Sequence, residues 1–441
     1  MWVLIAVLAL GMVAAGCTKK PAQSTQPAEQ QKEEQYLNLN LTTEPPNLDP
    51  QLASDTVSFD ILRNTMEGLT RPDKSGDIKQ GSGLAESWTV SPDGTKYVFK
   101  LRDAKWSDGS AITAEDFEFA WKRAIDPRSA SEYAYQMYYI KGAEAVNSIA
   151  LPDKKKYEGK EAEYKKALEE AGKKIDEGLK TVGVKAVDPK TLEVTLEGPT
   201  GFWLSLTAFP TYIPAQKAAV QKFAEKFASD ADKMTFSGPF KIEKWVHSTE
   251  ILLVKNENYW DAKNVKLSKI HMDMIKENQT AINMFESGDL DVTTVGPKFI
   301  ANYSDKGLKQ LPEAVTFYME FNSKKPVFGN DKIRKALSLA IDRKLFAEKV
   351  YSNGVLPATA LTPPTIHGVA GESFQKRVGD ILPVTADAAK AKELLAQGLK
   401  ELNLTEFPKS VEMVGDDTDT AKKLTQAIQE FWRQNLGIEV K

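Results

Sequence analysis

Short runs of alternating apolar and polar residues recur along this chain, and each predicts a strand with one buried face. Tyr36–Leu41 places Leu37, Leu39 and Leu41 on one side. Lys96–Arg102 aligns Tyr97, Phe99 and Leu101; Thr191–Glu197 aligns Leu192, Val194 and Leu196; Lys269–Ile275 aligns Ile270, Met272 and Met274. Between them the apolar spacing lengthens to that of a helix. From Thr113, which caps with Asp116 three residues on, Phe117, Ala120, Trp121 and Ala124 form one stripe. Lys332–Tyr351 predicts one helix through Ile333, Ala336, Leu337, Ala340 and Ile341. Asp419–Leu436 predicts another through Ala421, Leu424, Ile428, Phe431 and Trp432, stopped by Gly437. The body is therefore α/β, and these stripes are read as core.

One stretch has almost no apolar face. Asp153–Lys180 carries Glu161/Lys165, Glu169/Lys173 and Glu170/Lys174 at i,i+4 spacing, with a thin seam of Leu168, Ala171, Ile175 and Leu179. It predicts a solvated surface helix.

The N-terminus follows another logic. Met1–Gly16 is an apolar run too short for a bilayer core of ~30 Å, but suited to the hydrophobic region of an export signal. It ends in Ala14, Ala15 and Gly16 before Cys17, the chain's single cysteine, which resembles a bacterial lipoprotein signal. Cys17 is accordingly the expected lipid attachment site. Because such signals begin with basic residues, a short basic stretch is expected upstream of Met1. Residues 18–35 lack aromatic and branched aliphatic side chains and are expected to be a disordered tether, spanning roughly 20–25 Å.

The 441 residues exceed what one core ordinarily serves. A net charge of −3 offers no basic field, so no nucleic-acid partner is expected. One cysteine and three histidines (His247, His271 and His367) exclude an internal disulfide and give too few ligands for a Cys/His metal cluster. The chain has no HExxH, GxSxG, GxGxxG or P-loop. Asp73-Lys-Ser-Gly-Asp77 places its glycine too early for a calcium loop. Acidic pairs such as Asp289/Asp291 read as solvated faces rather than a hydrolytic dyad. No catalytic residue, metal or cofactor is assigned.

Several motifs together carry a resemblance. They are Glu44-Pro-Pro-Asn-Leu-Asp-Pro50, Met66-Glu-Gly-Leu-Thr-Arg71, Leu84-Ala-Glu-Ser-Trp-Thr-Val-Ser-Pro-Asp-Gly94, Lys105-Trp-Ser-Asp-Gly109 and Thr113-Ala-Glu-Asp-Phe117. Further along come Trp121-Lys-Arg-Ala-Ile-Asp-Pro127, Gly238-Pro-Phe-Lys-Ile242, Asn258-Tyr-Trp-Asp261 and Lys332-Ile-Arg-Lys-Ala-Leu-Ser-Leu-Ala-Ile-Asp-Arg343. From about Leu37 onward the chain resembles the extracytoplasmic solute-binding proteins of the oligopeptide/dipeptide class, family 5.

The resemblance implies a two-lobed clamshell of the periplasmic-binding-protein type (type II with an extra domain), with mixed sheets flanked by helices. On that pattern residues 36–71 and 186–315 make domain I, 72–185 domain II, and 316–441 domain III. It further implies a non-enzymatic, monomeric, lipid-anchored receptor outside the cytoplasmic membrane, passing oligopeptides to the transmembrane subunits of an ABC importer. The expected ligand-binding residues are Ser54, Asp55, Thr56, Tyr135, Asn283 and Tyr318. Other solutes on the same fold (a metal chelate, a sugar oligomer, a signalling peptide) and a secreted hydrolase are the alternatives. The family continues past the position where Gly437-Ile-Glu-Val-Lys441 reads as the start of a strand, so the resemblance implies a C-terminal truncation. With it would go the aspartate that meets the peptide's ammonium, leaving weak binding and an unpaired strand edge.

Overall fold

The computed structural model describes residues 35–311, 313–352, 354–366, 368, 371–409, 411–415 and 419–440. The expected export signal, Cys17 and nearly all of the tether lie outside these. The chain divides into two compact units: residues 44–272 with the N-terminal residues to Leu37, and Asn38–Thr43 with residues 273–441. It therefore passes between units three times: after Leu37, after Thr43 and after Met272.

The first unit is built on an antiparallel sheet. Strands β1 (Tyr36–Asn40), β2 (Ala85–Val90), β3 (Lys96–Leu101), β4 (Val184–Asp188) and β5 (Thr191–Thr195) begin the chain order. Four of them form the sheet β2-β3-β5-β4. Registering Trp88 with Phe99, and Phe99 with Leu192, puts Tyr97, Phe99, Leu101, Leu192 and Val194 on one buried face. The predicted alternation is what sorts them. Helix α1 (Thr56–Thr65) precedes this sheet, and α2 (Ala114–Ile125) packs against β4 and β5. Thr113 starts α2: Asp116 accepts its N–H at 3.0 Å, and the stripe Phe117, Ala120, Trp121, Ala124 is fully buried. Trp121 meets Trp203 edge-on at 6.3 Å and Tyr212 at 5.0 Å, while its indole N–H donates to the Tyr212 carbonyl at 2.7 Å. Each such buried aromatic contributes roughly 1.5–3 kcal/mol of transfer free energy. Helix α3 (Glu161–Thr181) is the charged stretch; it buries only Ala171 and Ile175 of its expected seam, and Leu168 is exposed.

The second sheet has the order β1-β8-β7-β6, from β6 (Phe240–Val246), β7 (Glu250–Lys255) and β8 (Lys269–Asp273). Where the chain enters β6, Gly238 donates to the carbonyl of Thr65 at the end of α1, at 2.9 Å. A Cβ there would lie 2.5 Å from the Met66 amide nitrogen, so only glycine permits this approach. The motifs at Met66 and Gly238 are thus two sides of one contact.

The second unit is helical around its own core. Helix α4 (Asn278–Ser287) opens it, followed by α5 (Asp331–Leu339), α6 (Ala388–Glu401) and α7 (Asp419–Leu436). Ile333, Ala336, Leu337, Ala391, Leu395 and Trp432 share one apolar cluster, and the Trp432 indole donates to the Leu337 carbonyl at 2.9 Å. Two expectations fail here. Lys332–Tyr351 is not one helix, because Asp342 caps a new turn by accepting from Leu345 N at 2.8 Å and Arg343 ties back to the Ser338 carbonyl. A π-turn then runs Phe346–Tyr351. Residues 437–440 form no strand; Gly437, at φ +70, ends α7 and turns Ile438 into the core. No helix among the described residues is long and apolar enough to cross a membrane.

Candidate functional site

The segment between Leu48 and α1 is fixed from both sides. Asn47 accepts from the Asp49 amide at 2.8 Å, and the Asp49 carbonyl takes the amides of Leu52 and Ala53 at 3.0 and 2.8 Å, closing a helical turn. The Asp49 carboxylate, almost fully buried, receives both guanidinium arms of Arg123 on α2, at 2.7 and 2.5 Å. Such a fork fixes position as well as charge. Arg123 also donates to Gln51 Oε1 at 3.2 Å, and Gln51 Nε2 donates to the Ile213 carbonyl at 2.9 Å. The Gln51 carbonyl accepts the Ser131 hydroxyl at 2.5 Å.

On the far side Asp55 caps α1. Its backbone is extended (φ −121, ψ 158), and its carboxylate accepts from Ser58 N at 2.8 Å and Ser58 Oγ at 2.6 Å. Ser54 lies between turn and cap, Asp55 is the cap itself, and Thr56 is the first residue of α1. No described residue pairs with their backbone N–H groups or with the hydroxyls of Ser54 and Thr56. A short, ordered run of open main-chain donors results, with Thr56 exposed and Ser54 half-buried.

One turn into α1, Phe59 joins an aromatic group. It meets Phe209 at 5.3 Å and Tyr133 at 5.8 Å; Tyr133 meets Phe209 at 5.0 Å and Tyr135 at 5.9 Å. Tyr135 stands at the outer end of this ladder, 55% exposed. Burial, then the negative field of Tyr135, Glu132 and Asp55, pushes the Tyr133 phenol above its ordinary range. Four expected residues, Ser54, Asp55, Thr56 and Tyr135, lie in the first unit, the triplet leading through Phe59 and Tyr133 toward Tyr135. The other two belong to the second: Asn283 is exposed on α4, accepting from Gln279 at 2.9 Å, and Tyr318 is 69% exposed in a segment outside helix and strand. Asp49, Gln51 and Arg123 were not foreseen. Asp49 and Arg123 sit inside quoted motifs, but 74 positions apart no spacing rule couples them.

Elsewhere in the first unit two carboxylates, Glu67 and Glu250, are held by neighbouring groups. Glu67, buried, has its carboxyl raised by desolvation despite Arg71 at 3.0 Å and the Tyr259 hydroxyl at 2.6 Å. Glu250 accepts from Lys244 on one oxygen and meets His271 Nε2 on the other, each at 2.5 Å, and is held below the usual carboxylate range by Lys244 and then His271.

A family model described as "Bacterial extracellular solute-binding proteins, family 5 Middle" matches residues 79–441. The oligopeptide-binding protein OppA of Bacillus subtilis is 38% identical over 416 residues, 92% of this chain and 70% of that protein. The substrate-binding domain of an oligopeptide ABC transporter from Bacillus anthracis superposes with a TM-score of 0.76 at 34% identity, over 93% of this chain and 74% of that one. Listeria monocytogenes OppA bound to peptide gives 0.75 at 33% identity, over 93% and 76%.

Proposed function

The chain belongs to the bacterial extracellular solute-binding proteins of family 5, and from this premise we propose that it captures oligopeptides outside the cytoplasmic membrane for an ABC importer. The observation that carries this reading is the open main-chain run at Ser54, Asp55 and Thr56. Unpaired backbone donors in a fixed segment, extended at Asp55 and leading into α1, suit a ligand that pairs through its own main chain, which gives affinity without reading sequence. Tyr135 then offers an aromatic face to a side chain, and the peptide bound to Listeria OppA supports the ligand class. Asn283 and Tyr318, both exposed in the second unit, are proposed as ligand-binding residues of that unit. On this reading the chain acts as a monomer without catalysis and docks on the importer's transmembrane subunits. A thioether lipid on Cys17 keeps it at the membrane, and Cys17→Ser should release it into the soluble fraction.

The deciding experiment is a thermal shift against pools of short peptides. Ligand at about 100 times its dissociation constant adds ~2.7 kcal/mol, a plain rise in melting temperature. A folded protein that shifts with no peptide pool, but does with a metal chelate or an oligosaccharide, overturns the peptide assignment. Turnover of the added peptides would instead establish a hydrolase.

A further inference from the structure

The node formed by Asp49, Gln51 and Arg123 lies behind the open run rather than in it, and its connections are uneven in an instructive way. Three of the five N–H donors of Arg123 have acceptors to serve within two residues of each other on the chain. Its side chain is 17% exposed and that of Asp49 3%, so water does little to screen the pair. From Gln51 the node reaches in two further directions, to the Ile213 carbonyl and, through its own carbonyl, to the Ser131 hydroxyl. Ser131 begins the loop that carries Tyr133 and Tyr135, accepting from the Ala134 amide at 3.3 Å. Ile213 follows Tyr212, whose carbonyl is already held by Trp121 of α2. One arginine on a buried helix thus sets where the turn before Ser54 sits and, through Gln51, where the Tyr135 loop sits against it.

We propose that Arg123, acting through Asp49 and Gln51, is the positioning residue of the peptide site: it fixes the separation between the main-chain donors of Ser54–Thr56 and the aromatic face of Tyr135. This rests on the peptide reading above. A ligand that spans both features meets a spacing preset by the node, so affinity needs little ordering on binding. Removing the guanidinium fork frees the spacing without removing any group that touches ligand.

Arg123→Lys is the informative variant, because lysine keeps the charge beside Asp49 but cannot serve three acceptors in one plane. Asp49→Asn is the second, cutting the same link from the other side. Ile175→Ala, in the α3 seam, is the control for simple loss of stability. Two readouts are taken on the full chain: ¹H–¹⁵N heteronuclear NOE at the Ser54, Asp55 and Thr56 amides, and dissociation of a defined pool of alanine–lysine peptides. Arg123→Lys and Asp49→Asn should lower those NOE values and speed dissociation about tenfold or more. Ile175→Ala should lower the melting temperature and leave both readouts unchanged. The proposal is overturned if the amides stay as rigid in Arg123→Lys as in the parent, or if Ile175→Ala loosens them equally. Should the parent protein bind none of the peptides, the peptide reading fails by itself, and the NOE comparison still decides whether Arg123 positions the segment.

Discussion

His247 stands at the tip of the β6–β7 hairpin with a carboxylate on each ring nitrogen: Glu44 at 2.8 Å from Nδ1 and Asp230 at 3.1 Å from Nε2. The hydrogen bonds to Glu44 and then Asp230 raise its pKa above the usual 6.5. Lys233, at 2.9 Å, also serves Asp230, so one carboxylate is shared between two cations. The folded-state pKa being the higher one, the protonated ring stabilises the fold fully below pH 6.5. That contribution fades as pH climbs through the raised value. Half the ring is exposed, so screening keeps the effect under about 1 kcal/mol. His247→Gln should therefore melt below the parent in mildly acidic buffer, with the gap closing toward alkaline pH. A gap that stays constant or widens with pH would show that the ring's charge plays no part. Nothing in the local sequence announces this arrangement, because Glu44 lies about 200 positions away in a different motif. The same holds for Asp49 and Arg123. Asp55 is expected only as a ligand residue implied by the motif upstream; its role as the cap of α1 was not foreseen, because no apolar stripe at 56–65 is read as a helix in the sequence.

At the scale of elements, local pattern was a sound guide wherever one strand face or helix stripe was buried. Strands β1, β3, β5 and β8 start where alternation predicts, and α2 begins at its capping residue. The pattern failed at Lys332–Tyr351, where apolar spacing continues through a break made by polar capping at Asp342, a feature that periodicity does not weigh. Glycines in helices test the same competition between local and tertiary terms. Gly398 lies inside α6, where alanine would ordinarily gain about 1 kcal/mol of helix propensity. Its missing Cβ, however, would sit 2.6 Å from Ile333 Cγ1 and 2.9 Å from Asn330 Oδ1. Asn330 is the cap of α5, accepting from Lys332 and Ile333 amides, so a displaced Asn330 also loosens that helix start. Overpacking of this kind costs roughly 1–3 kcal/mol and outweighs the propensity gain. Gly398→Ala should lower the denaturation midpoint of the second unit; a rise would mean that the α5–α6 contact yields without cost.

At the scale of the whole molecule the two units differ in how their backbones are satisfied. The sheet β2-β3-β5-β4 pairs its inner strands on both sides and buries Tyr97 and Phe99 against Trp203. In the second unit, residues 313–321 form no helix or strand and have no backbone amide paired to a described residue, and Phe317 and Tyr318 are each 69% exposed. The ties of this stretch are side-chain contacts; Thr316 Oγ1 donates to the Leu361 carbonyl at 2.8 Å, the Phe317 ring meets Tyr351 at 5.6 Å, and Met319 and Phe321 pack on the apolar cluster. Backbone without ladder bonds and with exposed apolar side chains opens at little free-energy cost, and proteases read that cost directly when opening is fast. Limited chymotrypsin digestion should therefore cut at Phe317 and Tyr318 before any aromatic of the β2–β5 sheet. Because Tyr318 belongs to the proposed ligand-binding set, a bound peptide that engages it should slow this cut while leaving cleavage elsewhere in the second unit unchanged. Early cleavage at Tyr97 or Phe99 would reverse the assigned order of stability. Unchanged cutting at Phe317 and Tyr318 in saturating peptide would show that Tyr318 does not meet the peptide.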